Sequence, residues 1–204
     1  MVIRLLFICL IPFFFNHALA NEGILKKVKD GEAHSLYEYG QTLYSKDSSK
    51  AINLMMLSAL QNNVEALNFL ISHDGIDDEV KIFLKDRALN ISFDRSNIDD
   101  LQKLGSEDDS FAQYQLWLLY MNGEFIPKPK AYVWLKKAAG NQYPDALYSL
   151  GILYYYGFIV PEQKSKALSL LAESTELGSL NAQFFLDNLD KFKHLNKSLI
   201  DIID

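Results

Sequence analysis

Three alanine pairs constrain this chain more than any other feature. Ala51 and Ala66, Ala131 and Ala146, and Ala167 and Ala182 each stand 15 residues apart. Superimposing Ala131 on Ala167 puts Leu135 on Leu171, Ala138 on Ser174 and Gln142 on Gly178. Superimposing Ala51 on Ala131 puts Met55 on Leu135, Ala59 on Ala139 and Asn62 on Gln142. A second set of positions recurs as well: Ala112, Leu116, Leu119, Tyr120 and Gly123 return 34 residues later as Ala146, Leu150, Leu153, Tyr154 and Gly157. The apolar positions within each copy fall at helical spacing, one face per helix. A single helix pair of this size cannot bury its apolar face. Copies of the pair must stack, each on its neighbour, to make one continuous core. The spacing therefore predicts an all-α solenoid of stacked antiparallel helix pairs.

Taken in order, the pattern starts with a helix over His34 to Tyr44 and a partner helix over Ala51 to Leu60, separated by turn residues with ready N-caps. Ala66 to Ser72 begins the next first helix. Between Ser72 and Gly105 the repeat is lost. Asp77-Asp78-Glu79 is placed to cap a further helix running to about Leu89, with acids at the positive end of its dipole. Ser96 caps a short helix that ends at Gly105, read here as a C′ glycine. This middle region holds one helix too many for simple pairing, and is read as a degenerate repeat with an insertion at about 72–105. Asp109 restarts the clear pattern, which runs to Leu186. Phe184 to Phe192 is expected to be another first helix and about 195–203 a capping helix. Gly40 and Gly151 sit mid-helix, where glycine costs about 1 kcal/mol relative to alanine. Close helix crossing is the expected return, and Trp117 replaces that glycine in its own repeat.

Residues 1–20 are set apart. Arg4, the apolar run Leu5 to Phe15 and the small-x-small site Ala18-Leu19-Ala20 form the pattern of a cleaved export signal, with Asn21 first in the mature chain. Cleavage removes Arg4 and the only cysteine, Cys9, and takes the net charge from −6 to −7. A mature chain without thiols has no disulfide, cysteine metal site or cysteine nucleophile. The acidic balance argues against nucleic acid and anionic lipid as partners and favours a basic protein. No membrane insertion is expected after cleavage. An apolar share of 49% with 23% charged residues is that of a globular chain.

The pattern A-x-x-x-L-G-x-x-Y-x-x-G, a proline-containing loop, and K-A-x-x-W/L-x-x-x-A-A-x-x-G/Q-x-x-x-A resembles that of Sel-one-like repeats, close relatives of tetratricopeptide repeats. The resemblance covers Asp109 to Leu186 and Ser35 to Leu70. It implies a right-handed superhelix whose first helices line a concave face, and a protein that holds other proteins rather than an enzyme. Exported bacterial members resemble envelope scaffolds, or immunity proteins that neutralise lipases and other envelope-attacking toxins. The resemblance thus implies a periplasmic binder, with an immunity role as the specific expectation and an envelope assembly scaffold as the alternative.

The search for chemistry supports this view. His34, His73 and His194 lie in no metal-binding spacing, and each reads as a surface or capping residue. No nucleophile elbow, phosphate-binding loop or calcium loop occurs. Each acidic cluster precedes or opens a helix, so capping explains it; a glycan hydrolase is the remaining alternative, and would need two of these carboxylate clusters brought together across a cleft. No catalytic residue, cofactor or metal is expected. The aromatic residues Tyr114, Trp117, Tyr148, Tyr155 and Tyr156 fall on first helices outside the repeating core columns. They have two readings: a thickened core, or a concave strip of anchors for a protein partner.

Overall fold

The computed structural model describes residues 23–90, 98–122 and 128–195. The export signal, Ser96, the proline loop at Pro127 and most of the 195–203 capping helix lie outside these residues. Among the described residues the chain is helix and turn, with no strand. We number the helices α1 (residues 23–29), α2 (Ala33–Leu43), α3 (Ser48–Leu60), α4 (Val64–Ser72), α5 (Asp78–Asn90), α6 (Ile98–Ser106), α7 (Ser110–Met121), α8 (Lys128–Gly140), α9 (Pro144–Tyr156), α10 (Lys164–Glu176), α11 (Leu180–Asp187) and α12 (Leu189–Phe192). Consecutive helices pack on one another from α2 to α5 and again from α6 to α12.

One backbone device builds each turn of the array. Gly31, Asn62, Asp108, Gln142 and Gly178 all adopt positive φ, between 58° and 92°. Each lies four residues before the repeat alanine, or before Ser35 in the first copy. The left-handed residue reverses the chain, and the next residue is the N-cap of a first helix. Asn63, Asp109 and Ser179 accept the backbone N–H of Ala66, Ala112 and Ala182. Tyr143 makes no side-chain cap; Pro144 opens α9 instead and needs no donor partner there. A second device ties each pair together. Ser58 Oγ donates to Ala33 O and Ser174 Oγ to Pro144 O, both at 2.6 Å. These are equivalent positions in the first and the α9–α10 copies.

The mid-helix glycines mark close crossings, as their positions predict. A Cβ on Gly40 would lie 3.0 Å from Met55 Cγ, and one on Gly151 would lie 2.9 Å from Leu171 Cγ. Gly105 is not a C′ residue. It sits within α6, buried against Leu116 and Trp134, and the left-handed position falls three residues later at Asp108. The last first helix also differs from expectation. It starts at Leu180 and ends at Asp187, and Asn188 separates it from the single turn of α12.

The extra middle helix is α5. Successive left-handed junctions lie 31, 46, 34 and 36 residues apart, and the long interval is the one that contains α5. Helix α6 packs on α7 as a second helix should, whereas α5 packs on α4 and reaches α11, far along the array. Phe83 stacks on Phe184 at 4.3 Å between centroids. The array closes at another point too: Phe158, in the loop after α9, fills the space over Gly31, and Ile159 N donates to Asp30 O at 3.2 Å. The solenoid is thus bent back on itself, with α5 across the first helices.

Candidate functional site

The five aromatic residues expected to form a concave strip are all buried, none more than 6% exposed. Tyr114 and Tyr148 are held in a polar cluster at the centre of the first-helix face. Asn62 Nδ2 donates to the Tyr114 hydroxyl at 2.9 Å, and that hydroxyl lies 3.2 Å from Ser149 Oγ. The Tyr148 hydroxyl points at Leu60 O, 3.5 Å away. Trp117 packs against Tyr120. Tyr155 and Tyr156 meet edge to face at 5.0 Å, both reach Phe185, and Tyr156 donates to Phe192 O at 2.9 Å. The strip expected to anchor a partner is therefore corrected: these side chains are core. The end of α3 and the inserted α5 cover Tyr114 and Tyr148, whereas Phe158, Phe185 and the turn of α12 cover Tyr155 and Tyr156.

Arg87, on α5, sits at the heart of this plug at 1% exposure. Its guanidinium lies 4.6 Å from the Tyr148 ring centroid and 5.2 Å from that of Phe83. It donates to Leu60 O at 3.1 Å and to Asn62 Oδ1, while its Nε and second terminal nitrogen have no hydrogen-bond partner. Cation–π contact offsets part of the desolvation of this charge. Burial dominates the neighbouring phenols: it pushes Tyr148 up to about 12 and Tyr114 higher still, while the nearby Arg87 charge acts to lower both. Both hydroxyls stay protonated and available as donors at neutral pH. The repeat pattern marks Asn62 only as a junction position and does not mark Phe83 or Arg87. Val80, Phe83, Leu84 and Arg87 do follow the helical spacing of a buried face, but an arginine at its last position hides the stripe.

The remaining candidates are structural. His73 caps α4; its Nδ1 accepts from Gly75 N at 3.0 Å and its Nε2 lies 2.8 Å from the Tyr44 hydroxyl. His34 lies 3.5 Å from carboxylate oxygens of Glu38 and Glu65 on an exposed face. Asp47, Asp77 and Asp109 each cap a helix start. Among the described residues no group of three or more His, Cys, Asp or Glu side chains is arranged to hold a metal ion, and no helix is long and apolar enough to cross a membrane. Two surface hollows among the described residues bear on binding. One, of about 370 Å³, lies at the junction edge beside Tyr143, Asp145 and Leu180. The other, of about 440 Å³, lies between the second helices α8 and α10, over α9.

Comparison with known families matches the Sel1 repeat at residues 31–63, 110–143 and 144–179. The first segment starts at the Gly31 junction and the others two residues after Asp108 and Gln142, and residues 64–109, which hold α4, α5 and α6, are unmatched. Among solved structures, the chain is similar to a Sel1 repeat protein from Oxalobacter formigenes, at 25% identity and a TM-score of 0.38. The alignment covers 79% of this chain and 46% of that one, so the chain spans less than half the length of that relative. Sel1 repeats are helical repeats that mediate protein–protein interaction, and three of them occupy half of this sequence: the chain belongs to the Sel1 repeat family.

Proposed function

We propose that this chain is an exported, non-enzymatic binder of one partner protein, and that it acts as an inhibitor that neutralises an envelope-acting enzyme such as a lipase. The single observation that carries the binding role is the run of Sel1 repeats, three copies over half of the sequence. The export signal pattern at residues 1–20 supports a periplasmic location. The acidic balance supports a basic partner, approached through charge steering that weakens with salt. With the first-helix face filled by α5, binding falls to the surfaces the fold leaves open: the junction edge and the groove between second helices.

The test takes a secreted lipase encoded beside this chain and titrates it with the purified mature protein. Loss of lipase activity at one-to-one stoichiometry is the expected result. Binding with full activity retained would replace the inhibitor reading with the scaffold reading. No binding to any neighbouring product, together with an intact Met1 in a membrane fraction by mass spectrometry, would remove both the partner and the export parts.

A further inference from the structure

We propose that the trench between α8 and α10 is a docking site for the free C-terminus of a partner protein whose last side chain is apolar. This rests on the reading of the chain as a binder of other proteins. It places the contact on the outer groove, away from the filled first-helix face.

The trench is polarised. At one end Lys166 Nζ donates to the Tyr154 hydroxyl at 2.9 Å and lies 4.1 Å from that ring. The Tyr132 hydroxyl is 3.4 Å from the Tyr154 hydroxyl, and Lys136 Nζ lies 5.6 Å from the Tyr132 ring. Lys136 and Lys166 both line this end of the trench beside Tyr154. The bond from Lys166 holds the Tyr154 phenol below its ordinary range, the mark of a local positive field on a chain of net charge −6. Neither lysine has a carboxylate within ion-pair distance among the described residues, although each ammonium can donate three hydrogen bonds. The site is set up to receive an anion.

The floor decides which anion. Leu150, at 7% exposure, and the half-buried Leu170 lie one helical turn from Tyr154 and Lys166 and line the trench beside this basic end, while the more deeply buried Leu147 lies a further turn away. A ligand must bring an apolar group next to its negative charge. Asp or Glu cannot do so from one residue, and inorganic phosphate has no apolar part. A C-terminal residue with an aliphatic side chain supplies both. At the far end lies Glu173, seven residues beyond Lys166 on the same helix, hence about 10 Å along its axis. An extended peptide covers that distance with about three residues. Its upstream N–H groups then face a carboxylate acceptor while its terminal carboxylate meets the lysines.

The test uses N-acetylated Ala-Ala-Leu as the free acid, titrated into the isotopically labelled mature protein and followed by amide chemical shifts. The expected result is a saturable shift at Leu147, Leu150 and Lys166 with Kd on the order of 1 mM or tighter. The C-terminal amide of the same peptide and acetyl-Ala-Ala-Asp-amide should bind at least tenfold more weakly. Lys136→Ala with Lys166→Ala should weaken the free acid at least tenfold with an unchanged melting temperature, since both side chains are exposed. Equal binding of acid and amide, shifts confined to other helices, or full binding by the double variant would each overturn the proposal. If the peptide fails while the partner enzyme is still inhibited, this site is wrong and the inhibitor reading stands. If the peptide binds and no enzyme is inhibited, the reverse holds.

Discussion

At the residue scale, the junction column carries most of the information about the fold. It holds Gly31, Asn62, Asp108, Gln142 and Gly178. Glycine, Asn and Asp are the residues that reach left-handed backbone most readily, so the column states its conformation once the repeats are aligned. Gln142 is the exception, and its place in the repeat fixes it. Two of these glycines do different things. A Cβ on Gly178 meets nothing within 4 Å, whereas one on Gly31 would lie 2.1 Å from Phe158 Cδ1. Gly178→Ala should therefore lose only the left-handed penalty, about 1–2 kcal/mol. Gly31→Ala should lose that and about 1–3 kcal/mol more for overpacking. Urea unfolding of the two variants measures the difference, and equal midpoints would show that Phe158 yields freely. By the same reasoning Gly151→Leu, forced into Leu171, should destabilise several times more than Ser169→Ala on the exposed face of α10.

At the element scale, α5 is the part that the repeat pattern could not announce. Periodicity gave the helix and its acidic start, because Asp77 caps it where the carboxylates stand. It could not give the surface against which α5 packs. A buried stripe of Val80, Phe83, Leu84 and Arg87 fits a neighbouring pair as well as a distant first helix. The aromatic residues opposite were ambiguous for the same reason: helical spacing assigns a face and leaves open what covers it. Arg87 makes a sharp prediction. Its buried charge has two nitrogens without partners, and unsatisfied buried donors destabilise by about 1–3 kcal/mol. Arg87→Met keeps the length and removes that penalty, which offsets the loss of its bonds to Leu60 O and Asn62 Oδ1, so the melting temperature should change little. Phe83→Ala removes the stack on Phe184 and should cost about 3 kcal/mol or more. A strongly destabilising Arg87→Met would mean that the guanidinium contacts with Tyr148 and Leu60 outweigh its desolvation.

At the scale of the whole molecule, closure changes how the array should unfold. In an open solenoid each repeat touches only its neighbours, so end repeats fray first. Here the early and late parts hold each other. The loop after α9 packs Phe158 over Gly31 and bonds Ile159 N to Asp30 O. Ile159 adopts φ 63°, a costly conformation for a β-branched residue, so the surrounding contacts must hold it there. Asn122 adds a further tie, accepting from Val64 N at 2.8 Å and donating to Asn62 O at 3.1 Å. Helix α5 then ties α4 to α11 through Phe83, while the exposed Lys191 pairs with Glu79 and Asp77 add contacts that salt screens. Hydrogen exchange on the native protein tests this. Slow amides of α2, α4, α9 and α11 should open with the same free energy, that of global unfolding. Phe158→Ala removes a buried aromatic and should cost about 3–5 kcal/mol, with the loss felt first in α1 and α2. In that variant α2 should exchange ahead of α9, although the two helices belong to repeats far apart in sequence. A wild-type protein whose α2 and α11 already exchange well before α9 would show that the contacts between distant repeats do not hold in solution. The first-helix aromatics would then be open to a partner after all.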